Sequence, residues 1–130
     1  QPPRIRVTAA QCEITTHGVG RLVDAGAVDF VNYDVSEGGG VTDWRRAAAL
    51  CATAGVKMAH HEESQISREL LAGVEHGTYV ECFAHPGRDP VWQTMWANRP
   101  AIKDGMMEMS QSPGFGIELD WKMVERYRVS

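Results

Sequence analysis

Four short apolar runs in this 130-residue sequence each end near a group able to move a proton or hold a cation. Gln11 follows the run 5–9, Asp34 follows 28–32, His60 and His61 follow 56–59, and Glu81 comes near the end of 78–82. The chemistry open to such a set is proton transfer. A histidine beside an aspartate is a common general base, because the carboxylate fixes the tautomer and raises the imidazole pKa. A glutamate across the pocket donates to a developing oxyanion when protonated, or ligates a cation when ionised. His60 and His61 are consecutive in an extended segment and point to opposite sides, so at most one faces a shared site. The other packs or is solvated. Gly38-Gly39-Gly40 could cradle an anion at a helix N-terminus or make a tight strand-to-helix turn. With no GxGxxG or GK[ST] pattern around it, the turn is the reading preferred. His17, His76 and His85 have no spaced partner and read as surface residues. Met106, Met107 and Met109 read as packing in the tail, not as metal ligands.

For those groups to share one site, the runs must be strands whose carboxyl ends lie on one edge. Their starts are roughly two dozen residues apart, the length of one strand–helix unit with its loops. Gly26, Gly55 and Gly77 precede three of the runs and fit left-handed helix stops. Between the runs, Thr16 could cap a helix carrying Val19, Leu22 and Val23. Thr42 or Asp43 could cap one carrying Trp44, Ala47, Ala48 and Cys51, and Ser64 or Ser67 could start a third with Leu70, Leu71 and Val74. The order β-α-β-α-β-α-β predicts an α/β fold of parallel strands, with its chemistry at the strand carboxyl ends. After Cys82, Pro86, Pro90, Pro100 and Pro113 with the Trp92/Trp96 pair predict an irregular segment with at most short helices. A last amphipathic helix is expected over 120–127. No linker divides the sequence, so 1–130 reads as one domain: four βα-type units to about residue 83, then a tail and a helix.

Composition narrows the function classes. The charge is −4, from 13 basic and 17 acidic side chains, so a general nucleic-acid or membrane-surface binder with a basic face is not expected. No apolar run has the ~18–20 residues of a transmembrane helix, and the start Gln1-Pro2-Pro3-Arg4 does not read as a signal peptide. Cys12, Cys51 and Cys82 are odd in number, with no CxxC, and read as reduced, buried thiols of a cytoplasmic protein.

The residues around these positions carry a family likeness. Ala25-Gly26-Ala27-Val28-Asp29-Phe30-Val31-Asn32-Tyr33-Asp34-Val35-Ser36, continuing into Gly39-Gly40-Val41-Thr42, resembles the sixth strand and loop of the mandelate racemase and muconate-lactonizing branch of the enolase superfamily. Gly55-Val56-Lys57-Met58-Ala59-His60-His61 is similar to its seventh strand, whose final histidine is the catalytic base. Thr78-Tyr79-Val80-Glu81 resembles the eighth. Asp104-Gly105 and Ser112-Pro113-Gly114-Phe115-Gly116-Ile117-Glu118-Leu119-Asp120 are similar to the closing DG…PGxG motif. The resemblance implies His61 as base, Asp34 as its dyad partner and Glu81 as an assisting group. It also implies Mg2+-assisted removal of the proton α to a carboxylate, ending in racemisation or in loss of a β-hydroxyl. His-Asp pairing and Glu62-Glu63 after His61 look more like the dehydratase relatives.

One departure concerns the metal. Gln11 stands where the family places a carboxylate ligand, and a neutral amide anchors a hard cation poorly; a shifted register would bring Glu13 there instead. The other ligands belong to strands before the four seen here. The expectation is therefore half of a (β/α)8 barrel, strands five to eight, completed by oligomerisation, with a dimer favoured, or by a separate N-terminal half. It would keep the His-Asp dyad, lack most metal ligands, and act on its own as an inactive or ligand-binding module for a small carboxylic acid. The alternative is an active lyase or racemase, working as an oligomer or with that other half.

Overall fold

The computed structural model describes residues 4–83, 85, 87, 88 and 90–129, without the Trp92 side chain. Expectations that fall on Gln1-Pro2-Pro3, Pro86 and the Trp92 ring lie outside the described residues. The elements run β1 (Thr8–Ala9), α1 (Thr16–Asp24), β2 (Phe30–Val31), α2 (Gly40–Ala54), β3 (Lys57–His60), α3 (Ser64–Ala72) and β4 (Gly77–Val80). The tail adds α4 (Pro90–Thr94), β5 (Ile102–Lys103), β6 (Met106–Met107) and α5 (Trp121–Arg126). β1 to β4 form one sheet in sequence order, every pair parallel. This is an α/β half-barrel, matching half of a TIM-type (β/α)8 fold. No described helix is long and apolar enough to cross a membrane.

The two faces of the sheet have different fates. On the helix side, Val31, Tyr33, Met58 and His60 pack against Val19, Trp44, Ala47 and Cys51, all essentially without exposure. Full burial of an apolar side chain contributes about 1.5–3 kcal/mol, so this layer carries the stability of the unit. Strand alternation sends Phe30, Asn32 and Tyr79 to the other face, where Tyr79 is 65% exposed. There the Phe30 and Tyr79 rings meet at a tilt of 55° with centroids 5.5 Å apart, and the Arg6 guanidinium lies over Phe30 at 5.6 Å.

Several local expectations change. Gly26 and Gly55 are left-handed as helix stops require, at φ +60 and +69. Gly77 is not a stop: α3 ends at Gly73, and a Cβ on Gly77 would sit 2.1 Å from the Leu71 carbonyl oxygen. α2 begins at Gly40, ahead of Thr42 and Asp43. Cys51 is buried, but Cys82 is only partly covered and Cys12 is exposed, so the picture of three core thiols holds for one. His17 and His85 are exposed, whereas His76 is structural, its Nε2 bonded to the Ala48 carbonyl at 2.9 Å. The tail contains a β-hairpin besides its short helix. Asp104 and Gly105, at φ +52 and +74, form a turn of the kind that joins antiparallel strands. α5 falls where expected, with Asp120 accepting from the Lys122 and Met123 amides.

The triple glycine is explained by packing. A Cβ on Gly38 would lie 2.4 Å from the Tyr33 hydroxyl, one on Gly39 would lie 2.6 Å from Asp43 Cβ, and Gly40 has φ +74. The loop closes over Tyr33 so tightly that its hydroxyl accepts from the Gly39 amide at 3.1 Å and donates to Asp43 at 2.9 Å, with the Ile14 carbonyl at 3.1 Å. Asp43 in turn accepts from the Thr16 amide at 2.7 Å, so it caps the neighbouring helix α1. Partial burial opposes ionisation of Asp43, but the Tyr33 and Thr16 hydrogen bonds outweigh it and hold the carboxyl below its usual range.

Tyr33→Phe leaves these groups unpaired and should cost about 1–3 kcal/mol in urea unfolding, with the helical circular dichroism unchanged. A second prediction concerns Asp29, whose carboxyl is lowered by the Val7 amide hydrogen bond, with Arg4 adding to it. A lowered carboxyl contributes stability that is present above its unfolded pKa and lost as the pH falls through the folded one. Asp29→Asn should therefore be less stable than the parent at pH 7, and the gap should close on acidification below about pH 4 in thermal melts.

Candidate active site

The carboxyl ends of β2, β3 and β4 bring Asp34, His61 and Glu81 together. Asp34 lies at the end of β2 on the open side of the sheet, yet it is only 2% exposed. Its Oδ1 accepts from the Ser36 amide at 2.7 Å, the Ser36 hydroxyl at 2.8 Å and the Glu37 amide at 3.3 Å. Its Oδ2 faces His61 Nδ1 at 2.9 Å. Burial works against the charge, but the His61 and Ser36 hydrogen bonds prevail and hold the carboxyl below its ordinary value.

The two histidines divide as alternation requires. His60 is completely buried, with its ring 6.3 Å from that of Trp44. Its Nε2 accepts from the Val35 amide at 3.1 Å, which requires the proton on Nδ1, where it is donated to the His61 carbonyl at 2.7 Å. Burial pushes its pKa down, and both nitrogens are occupied, so it packs. His61 instead turns Nε2 toward two carboxylates, 3.7 Å from Glu81 Oε2 and 3.9 Å from Glu62 Oε1. Partial burial lowers its pKa, but the Asp34 hydrogen bond and the Glu81, Asp34 and Glu62 charges outweigh that and raise it overall.

Beyond His61, Glu62 and Glu63 are both left-handed, at φ +45 and +48. Two consecutive non-glycine residues in that region store strain, which concentrates at functional sites. The kink lets the chain pass from the strand directly into α3, and Ser67 holds it by donating to the Glu62 carbonyl at 3.1 Å. Burial raises the Glu63 carboxyl pKa, with the nearby Asp34 and Glu62 charges adding to the effect.

The ligand-capable groups do not gather where the first strand suggested. Gln11 is exposed in the turn after β1, and Glu13 is directed to α1, packing on Gly18 and pairing with Arg21 at 3.8 Å. Instead Asp34, Glu37 and His61 each offer a ligand atom, all within 4.8 Å of one another. Magnesium is held by one or two protein carboxylates and keeps several waters, so Asp34 and the exposed Glu37 fit it in type and number. Glu37 was missed in the sequence. The signal for it is Asp34-Val35-Ser36-Glu37, a spacing that folds an aspartate back onto the amides that follow it and returns Glu37 to its side.

A cleft of about 260 Å³ opens beside His61, lined by Glu62, Glu81, Phe83, Arg88, Gln93 and Arg99 among others. A second, of about 360 Å³, runs along the open sheet face past Arg6, Thr8, Phe30, Asn32, Tyr79 and Glu81. Glu81 borders both. The tail residues Arg88, Gln93 and Arg99 were not singled out in the sequence, where no periodicity or spacing ties them to the strand ends.

Comparison with known proteins places this geometry. The Enolase C-terminal domain-like family matches residues 2–123. A D-galactonate dehydratase family member from Streptomyces bingchenggensis is 30% identical over 110 residues, 82% of this chain and 27% of the relative. A crystal structure of a mandelate racemase/muconate lactonizing enzyme superposes with TM-score 0.90 at 46% identity, covering 96% of this chain and 34% of that one. Another such structure, from a marine actinobacterium and in complex with magnesium, has TM-score 0.90 and 45% identity over 97% of this chain and 35% of that one. The chain thus spans about a third of the length of the relatives it matches.

These findings correct the expected function. The expectation of a unit lacking most metal ligands, and hence an inactive or ligand-binding module, is overturned by the Asp34–Glu37–His61 group and by the 46% identity to a structure described as an enzyme. The clustered ligands had been sought at Gln11, one strand away from where the β2 turn assembles them. With its four parallel strands, its dyad and the match over 2–123, the chain belongs to the enolase superfamily, in the mandelate racemase/muconate lactonizing family.

Proposed function

We propose that this chain forms the base side of a metal-dependent racemase or dehydratase site, corresponding to strands five to eight of the barrel, that removes the proton α to the carboxylate of a small acid. The observation that carries the reading is the His61 Nδ1–Asp34 Oδ2 contact of 2.9 Å, with Nε2 on the side of Glu81 and Glu62. With the proton of Nδ1 donated to Asp34, Nε2 keeps its lone pair for the substrate. When Nε2 takes the α proton, the imidazolium is held by Asp34 on one side and faces Glu81 and Glu62 on the other. It can then return the proton to carbon or protonate a leaving β-hydroxyl. Glu81 is placed to hydrogen-bond the substrate carboxylate or the enolate.

Asp34 and Glu37 would hold the divalent cation, whose chemistry is Lewis-acid polarisation of the substrate carboxylate. The four βα units and the tail act in this reading as one domain over 1–130. Tyr79 and Phe30 on the open face, and the outer edges of β1 and β4, unpaired among the described residues, are covered either by a second copy or by the remainder of a barrel. The likeness to an L-rhamnonate dehydratase from Saccharopolyspora erythraea and to a member of the D-galactonate dehydratase family favours a hydroxy acid as substrate.

His61→Asn should slow exchange of the α proton of such an acid into deuterated water by roughly 10²–10⁴-fold while the thermal melt stays cooperative. Exchange at the parental rate would remove His61 from the role of base. Magnesium at a hundredfold excess over its Kd should stabilise the chain by about 2.7 kcal/mol in thermal melts. Glu37→Gln should reduce that gain, and the absence of any rise at millimolar magnesium would remove the cation from the reading.

A further inference from the structure

The tail brings two guanidinium groups to the cleft beside His61, and they are not equivalent. Arg88 pairs with Glu62 Oε1 at 3.1 Å, and its guanidinium carbon lies 3.0 Å from the centre of the Phe83 ring. Its charge is already cancelled. Arg99 has no carboxylate partner among the described residues, although it lines the same cleft. What holds it is an amide. Gln93 is only 8% exposed; its Nε2 donates to the Phe83 carbonyl at 3.1 Å, which leaves its Oε1 to accept from Arg99 Nη1. The Gln93 carbonyl lies 3.3 Å from the same nitrogen. A buried, fully oriented amide thus spends its acceptors on one guanidinium nitrogen.

An arginine stays charged throughout the accessible pH range and presents five donors in a planar fork that matches a carboxylate. Here Nη1 serves Gln93, so Nη2 and Nε are left for a ligand. Of the carboxylates that line the same cleft, Glu62 is paired with Arg88, which leaves Glu63 and Glu81 to repel any second anionic group not anchored by a cation. We propose that Arg99 anchors a second carboxylate of the substrate and that Gln93 is its positioning residue, which makes the preferred substrate a dicarboxylic hydroxy acid. This rests on the placement of His61 as base: one carboxylate adjoins the reacting carbon and the other, at the far end of the same molecule, reaches Arg99.

The test is calorimetric titration of the 130-residue chain with glucarate and with gluconate, its monocarboxylate counterpart, in magnesium at fixed ionic strength. Glucarate should bind roughly tenfold or more tightly, as expected for one added charge-assisted bidentate pair. Arg99→Gln should bring glucarate down to the affinity of gluconate and leave gluconate unchanged. Gln93→Glu, which gives Arg99 an internal carboxylate, should do the same with the arginine intact. Equal affinity for the two acids, no binding of either, or an undiminished preference in Arg99→Gln would each overturn the assignment. The base reading fails separately: selective glucarate binding without α-proton exchange sinks the role of His61 and leaves Arg99 standing. Exchange of both acids with no effect of Arg99→Gln does the reverse.

Discussion

The strand-end site depends on keeping one buried carboxylate charged. Asp34 is almost without solvent, and a carboxylate moved out of water costs several kcal/mol unless donors replace the water. Three donors from the turn just after it, two amides and the Ser36 hydroxyl, converge on Oδ1, and His61 satisfies Oδ2. The same turn that stabilises the charge therefore fixes which oxygen faces the imidazole, returns Glu37 to the site, and leads the chain into the glycine loop. Loss of the charge would release the turn from Oδ1 and leave the glycine loop held to that strand through Tyr33.

A period of two residues then separates structure from chemistry. Tyr33 and Asp34 are neighbours, as are His60 and His61, and in each pair one member faces the helices while the other faces the open side. Tyr33 and His60 are spent on the fold: one is a hub for the glycine loop and α1, the other a neutral, doubly bonded histidine against Trp44. Asp34 and His61 meet across the strands at the end of the sheet. A one-residue slip of either strand would exchange the roles and bury the acid–base pair among the helices. The tight seating of the helix-side residues is thus what sets the register of the dyad.

The sequence reveals this much because the repeat is carried by local signals. Apolar runs, helix-stopping glycines at 26 and 55, and a polar residue beyond each run are enough to place parallel strands and the edge where chemistry belongs. Which histidine faced that edge was open from alternation alone and rested on a likeness to a known strand. The readings that failed depend on contacts remote in sequence. Gly77 looked like Gly55, but its small size answers to the Leu71 carbonyl, and no pattern near it says so. Asp43 looked like the cap of its own helix and caps α1, twenty-seven residues away. Cys12 looked like a core thiol and is exposed, in a turn whose burial composition cannot foretell. The tail hairpin was hidden by reading Asp104-Gly105 only as part of a family motif, although that dipeptide is a turn signal in its own right.

The charges around His61 also argue about what the site can accept. Asp34, Glu37, Glu62 and Glu81 surround an imidazole that, in the proposed reaction, receives a proton from a molecule which is itself an anion. At about 4 Å in a partly wet cleft, each like-charge contact is worth up to about 4 kcal/mol, so an acid could not enter on the strength of the dyad alone. The same carboxylates that stabilise an imidazolium after proton transfer repel the substrate before it. In the proposed site two positive groups of different kinds would resolve the conflict: a divalent cation at the carboxylates of Asp34 and Glu37, and the guanidinium of Arg99, which has no carboxylate partner among the described residues. An acidic cleft of this type therefore makes sense for an acid substrate only when counter-charges are supplied beside the carboxylates.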